Sequence, residues 1–125
     1  MKYKGIELYE ENGKYAVLVS GEYGAGWSTW NRPELAYDKR VVQFFLDHKD
    51  DAYFMGTVCY NGFEAYIEAK RFFSNLGYEE VYMGGFPTIY VEWVSENDIW
   101  RINEYDGLES LEMLSDAGFV CFGGE

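Results

Sequence analysis

The run Ser20-Gly21-Glu22-Tyr23-Gly24-Ala25-Gly26-Trp27-Ser28-Thr29-Trp30-Asn31 mixes three glycines with two tryptophans and several short hydroxyl and amide side chains. Glycines at this density let backbone N–H groups turn toward one point, which is how a loop holds an anion. The indole faces of Trp27 and Trp30 offer stacking surfaces for a base or other ring. The chemistry that fits is capture of a nucleotide-type small molecule, with Tyr23, Gly24, Gly26, Trp27, Ser28, Thr29, Trp30 and Asn31 as candidate contacts. Cations follow at Arg32, Lys39 and Arg40, and Arg101 is a further candidate. The spacing matches neither the GxGxxG of dinucleotide folds nor the GxxxxGK[ST] of phosphate loops, so no cofactor is expected from it. The simpler alternative is structural: both tryptophans plug the core where a hairpin meets a helix, and the glycines only allow the turn.

A second pattern is acidic. The chain has 22 Asp and Glu against 10 Lys and Arg, a formal charge of −12. Its mean field therefore repels nucleic-acid backbones and anionic membranes, and direct binding to either is not expected. Nine carboxylates fall between Glu92 and Glu125, opposed only by Arg101. Glu92, Glu96, Asp98, Glu104, Asp106, Glu109 and Glu112, with Asp116 beyond them, could imitate the phosphates of a duplex and occupy the basic groove of a nucleic-acid enzyme. The alternative is that this charge only keeps the protein soluble.

Signs of catalysis are weaker. His48 is the only histidine, and a helix end beside Lys49 and two aspartates accounts for it without chemistry. Cys59 and Cys121 show no metal-ligand spacing, so reduced thiols and no metal site are expected, although sequence leaves a Cys59–Cys121 bridge and a Cys59–His48 pair open. No catalytic residue is assigned, and the chain is read as a binder rather than an enzyme. The start, Met1-Lys2-Tyr3-Lys4-Gly5, has no leader pattern, and no apolar run approaches the ~20 residues of a membrane span.

The elements that must position these residues follow from periodicity. With 125 residues, 48% of them hydrophobic, the chain suits one domain over 1–125. Ile6 and Leu8, then Tyr15, Val17 and Val19, flank Asn12-Gly13, the strongest short hairpin signal. Pro33 to about His48 reads as a first helix or two short ones. Phe63 to Leu76, closed by Gly77, reads as a second. Glu79 to Met83, Ile89 to Val94 and Ile99 to Tyr105 read as three strands of a meander, with Ile89, Val91 and Trp93 facing the core. Ala52 to Tyr60 is ambiguous, Leu108 to Leu114 is a strand or short helix, and Gly118 to Phe122 is a candidate edge strand. The expected fold is α+β: an N-terminal β-hairpin, two helices and an antiparallel meander, forming one mixed-order sheet packed on the helices. Abundant tyrosines also suit a protein partner or a homo-oligomer.

The segments Ala16-Val17-Leu18-Val19-Ser20, Gly24-Ala25-Gly26-Trp27-Ser28-Thr29, Leu35 to Val42, Tyr82-Met83-Gly84-Gly85 and Arg101-Ile102-Asn103-Glu104-Tyr105-Asp106-Gly107 carry a resemblance. They resemble small proteins encoded by phages and prophages of Gram-positive bacteria. The likeness runs from the first hairpin to about Glu112, with Asp50 to Asn61 unmatched. It implies action in the cytoplasm of an infected bacterium and an anti-defence role by stoichiometric binding. Either a nucleotide immune signal is sequestered by the glycine–tryptophan segment with Arg32, Lys39, Arg40 or Arg101, or the acidic strands act as a DNA mimic against a host defence protein, as several anti-CRISPR proteins do. An accessory role in phage assembly or replication is a third implication.

Overall fold

The computed structural model describes residues 1–24, 26–50, 64–113 and 120–124. Three two-residue turns set its β topology. Lys4-Gly5, Asn12-Gly13 and Asp106-Gly107 each have positive φ at both positions, the geometry whose twist matches that of paired strands. They join β1 (Lys2–Tyr3) to β2 (Ile6–Glu7), β3 (Glu10–Glu11) to β4 (Lys14–Ser20), and β6 (Trp100–Tyr105) to β7 (Leu108–Met113). At φ +89° Gly107 tolerates no Cβ without strain, so Gly107→Ala is expected to cost about 1–2 kcal/mol. A lowered urea midpoint at unchanged slope would show it, and an unshifted midpoint would contradict the turn assignment.

The fold class is α+β, with α1 (Lys39–His48) and α2 (Glu64–Asn75) between the N-terminal and C-terminal strands. Its β structure departs from a single sheet: three small antiparallel sheets form, ordered β1–β2, β3–β4–β5 and β6–β7, with β5 spanning Ile89–Val94. β5 does not pair with β6 in a meander. It returns to β4 in a register running from Tyr15↔Val94 to Ser20↔Ile89. The reason lies in β4, where every residue after Lys14 is buried. Alternate residues of a strand face opposite sides, so Ala16 and Leu18 serve one core while Tyr15, Val17 and Val19 serve another. A strand buried on both faces must also pair its backbone groups, and β4 does so by lying between β3 and β5.

Glu79 to Met83, expected as a strand, is not one. Glu80 has a φ of +54°, which breaks the extended run, and the side chain of Asn31 takes the place of a neighbouring strand. Its Nδ2 donates to the Tyr82 carbonyl at 3.1 Å and its Oδ1 accepts from the Tyr82 N–H at 2.7 Å. Leu108–Met113 resolves as strand β7, and Val120 makes a single bridge to Trp100. On β5, Ile89 is buried, Val91 is half-buried, and Trp93 is exposed beside Tyr9 rather than in the core.

The first helical region splits into a 3-10 turn at Pro33–Ala36 and α1, because Asp38 caps α1 by accepting from the Arg40 N–H at 2.9 Å. The larger core lies between the helices and one face of β4, and holds Trp27, Leu35, Phe45, Phe73 and Phe86. The smaller packs Tyr37, Trp100 and Phe122 on the other face. Cys59, and with it any pairing to His48 or Cys121, lies outside the described residues, as do Ala52 to Tyr60, Leu114, Asp116 and Glu125.

Candidate anion-binding cleft

The Gly/Trp loop is folded around an anion that the chain itself supplies. Glu109 on β7 is 1% exposed. Its Oε1 accepts from the Ser20 N–H at 2.8 Å, and its Oε2 from the N–H groups of Trp27 at 2.8 Å and Thr29 at 3.1 Å. The Thr29 hydroxyl donates to the same oxygen. Backbone donors of the loop thus converge on one carboxylate. A ligand would have to use other groups.

The loop's aromatic residues divide. Trp27 is fully buried, donates its indole N–H to the Leu35 carbonyl at 2.9 Å and meets Phe73 and Phe86 edge-on. It is a core residue, and its faces are not open for stacking. Trp30 is exposed, packs on Tyr82 and donates to Glu104 at 3.2 Å. A Cβ on Gly26 would meet the Trp30 ring at 2.6 Å, so the indole lies directly on that glycine. Asn31 also ties the loop to the Trp27 carbonyl at 2.8 Å. The Gly24 N–H donates to the Asp106 carbonyl, and Tyr23 leans edge-on against Tyr105 at the hairpin end.

Ser28, Thr29, Lys4, Tyr37, Trp100 and Arg101 are among the residues that line a cleft of about 410 Å³. A second cleft of about 360 Å³ is lined by Lys4, Arg32, Arg40, Tyr37 and Tyr78. Both include Lys4, Glu34 and Tyr37, so they adjoin. Four of the chain's 10 Lys and Arg therefore line one trough. Lys39, at the start of α1, lines neither cleft.

Each cation is held in place. Arg32 pairs with Glu34 at 3.2 Å and lies over the Tyr78 ring. Arg101 pairs with Glu112 at 3.2 Å, and Lys4 lies over the Tyr3 ring. Arg40 grips Asp38 through Nε at 3.1 Å and Nη2 at 2.7 Å, while the Tyr78 hydroxyl donates to the same carboxylate at 2.7 Å. Burial pushes the Asp38 carboxyl up, but hydrogen bonds from the Arg40 and Tyr78 side chains and the Arg40 backbone, with the Arg40 charge, outweigh it and hold the carboxyl below its ordinary value. Burial, and then the bond to Asp38, raise the Tyr78 hydroxyl well above a free phenol. Glu34, Asp38 and Glu112 thus pair with Arg32, Arg40 and Arg101 in turn.

The C-terminal carboxylates do not share one surface. Glu109 is internal, and Glu112 is engaged by Arg101. Asp98 closes its own turn by accepting from the Ser95 N–H at 2.7 Å. Glu104 accepts from the Gly107 N–H at 2.8 Å and from Trp30, and these two bonds hold its carboxyl below the usual value. Glu92 lies partly buried on β5, Glu96 is exposed in the turn before β6, and Asp106 is exposed at the hairpin end.

Sequence reasoning missed Lys4, Glu34, Tyr37, Tyr78 and Trp100 as wall residues, because no local motif links them. It also passed over Asp38, whose place before an apolar helical run is an N-cap signal. Among the described residues no cluster of His, Cys, Asp or Glu could hold a metal ion, and no helix is long and apolar enough to cross a membrane. In comparison with known proteins, no family model matches the chain, and no curated protein or solved structure shows significant similarity to it.

Proposed function

We propose that this protein binds and sequesters a nucleotide-type anion in the Lys4–Arg101 trough, as a phage-encoded anti-defence factor acting by stoichiometric capture rather than catalysis. The observation that carries the reading is the gathering of Lys4, Arg32, Arg40 and Arg101 around two adjoining clefts in an acidic chain. Arginines already fixed by a carboxylate or a ring need little further ordering to take a phosphate, which favours binding. Clefts of this size suit a small ligand. The phage setting rests on the sequence resemblance.

The test is calorimetry of the full chain against AMP, ADP, ATP, cyclic mononucleotides and dinucleotides. At least one is expected to bind, and Lys4→Ala with Arg101→Ala is expected to weaken it roughly 10- to 100-fold, the scale of one or two charge-assisted hydrogen bonds. Circular dichroism checks that the fold is intact. Trp27→Ala is unsuitable as a probe, because it opens the core. If none of the panel binds, or if the double variant binds as well as the native chain, the reading is lost.

A second reading, an acidic surface for a basic host protein, is favoured by the β6–β7 hairpin end. There Tyr105 is 76% and Tyr23 64% exposed beside Glu104 and Asp106. It expects capture of a host nucleic-acid enzyme that weakens with salt and with charge reversal at Glu104 and Asp106.

A further inference from the structure

The cations that line the two clefts are already engaged within the chain: Arg101 by Glu112, Arg32 by Glu34, Arg40 by Asp38, and Lys4 over the Tyr3 ring. An uncharged donor in the first cleft is not. Trp100 lines that cleft and is 2% exposed, and its indole N–H is shut off from solvent with no acceptor. Among the described residues it is the one buried side-chain donor or acceptor without a partner. Buried polar groups are as a rule paired, and an unpaired one is a cost that the free chain carries and an incoming acceptor removes. The residue is also fixed in place. Its backbone N–H donates to the Val120 carbonyl at 2.8 Å and its carbonyl accepts from the Val120 N–H, while on its other side it pairs with Met113 of β7. Its ring meets Phe122 edge-on at 5.3 Å. An acceptor that reaches the indole therefore finds a donor that needs no further ordering. The surroundings select the kind of acceptor. Val17, Val19, Val94 and Phe122 share the buried cluster with Trp100, and desolvating an anionic oxygen in such company costs far more than desolvating a neutral carbonyl.

Resting on the binding reading above, we infer that the nucleotide occupies the first cleft with a carbonyl of its base on the Trp100 indole N–H. The ligand class is then an oxo-base nucleotide. Hypoxanthine and guanine carry a carbonyl oxygen at the ring position where adenine carries an amino group, and an amino donor set against the indole N–H leaves both groups unpaired. A site whose buried polar group is met by one ligand and left unmet by its analogue discriminates between them. A cleft of about 410 Å³ is of the size that holds a small ligand of this kind.

Calorimetry with the full chain compares IMP and AMP, which share sugar and phosphate and differ at that edge of the base. IMP is expected to bind about tenfold more tightly, the scale of one donor gaining or lacking its partner. Replacing Trp100 by the isosteric amino acid 3-benzothienylalanine puts sulfur where the N–H stands. This is expected to bring IMP down to the affinity of AMP and to leave the urea midpoint of the free chain unlowered, because the N–H has no bond there to lose. IMP binding no better than AMP to the native chain would overturn the inference, whether both bind or neither does. So would a preference for IMP that survives the replacement, or a lowered midpoint, which would mean that the N–H is bonded within the chain. The binding reading itself falls only if the wider nucleotide panel fails as well.

Discussion

Glu109→Ala is expected to lower the stability of the fold by about 3–5 kcal/mol, the scale of several buried donors losing their shared acceptor. The truncation strips the partner from three backbone N–H groups, those of Ser20, Trp27 and Thr29, and from the Thr29 hydroxyl. A buried donor left unsatisfied costs roughly 1–3 kcal/mol, and the loop can recover only part of this by letting water in. Removing one negative charge from an acidic chain relieves some repulsion, but that charge is already surrounded by donors, and more distant carboxylates are screened beyond ~8 Å at physiological salt. The local loss wins. Glu109→Gln keeps the shape but turns an amide N–H₂ toward N–H donors, so it is expected to cost about 2 kcal/mol. Urea unfolding followed by tryptophan fluorescence reads both variants. A loss below about 1 kcal/mol for the alanine variant would mean that the carboxylate does not organise the loop.

The second large effect concerns Asp38 and acid. Its folded-state carboxyl is held below the ordinary aspartate value by Arg40 and Tyr78 in spite of burial. A group so lowered adds stability at pH values above the unfolded-state value of about 3.9, and that stability is lost as pH falls through it toward the lower folded value. At neutral pH Asp38→Asn is expected to cost about 2–3 kcal/mol, because the charge-assisted bonds from Arg40 and the bond from Tyr78 weaken together. Below about pH 4 the native chain should lose the same advantage, so the two stability curves should converge on acidification. Parallel curves from pH 7 to pH 3 would remove Asp38 from the account of acid sensitivity. The variant also separates scaffold from site, since Arg40 would keep its charge but lose its anchor.

Several features of the fold were legible because they are local. Asn12-Gly13 marks a two-residue hairpin whatever surrounds it, and the apolar spacing of α2 holds without knowledge of its neighbours. Asp106-Gly107 is the same kind of turn, but the sequence reading left Leu108 to Leu114 open between a strand and a short helix, and the pairing with β6 makes Leu108–Met113 a strand. The pairing of β5 with β4 was not legible. Antiparallel partners are chosen by which apolar faces can be covered together, and β4 and β5 are separated by both helices.

The candidate site divides in the same way. By itself the sequence determined that the chain is strongly acidic and that cations cluster after Asn31, and it left the Gly24–Asn31 loop open between holding an anion and plugging the core. Only the tertiary structure decided which anion the donors meet, because Glu109 stands 82 positions from Trp27 in the chain and nothing local to either residue marks the pair. Nor could the sequence bring Lys4 and Arg101 beside Arg32 and Arg40, since a cleft is made by elements distant in the chain packing against one another. An anion-holding loop looks the same in sequence whether its anion arrives from solvent or from another strand. The difference is long-range geometry, and here that geometry closes the loop on Glu109 and leaves the trough beside it as the place where phosphate is expected to bind.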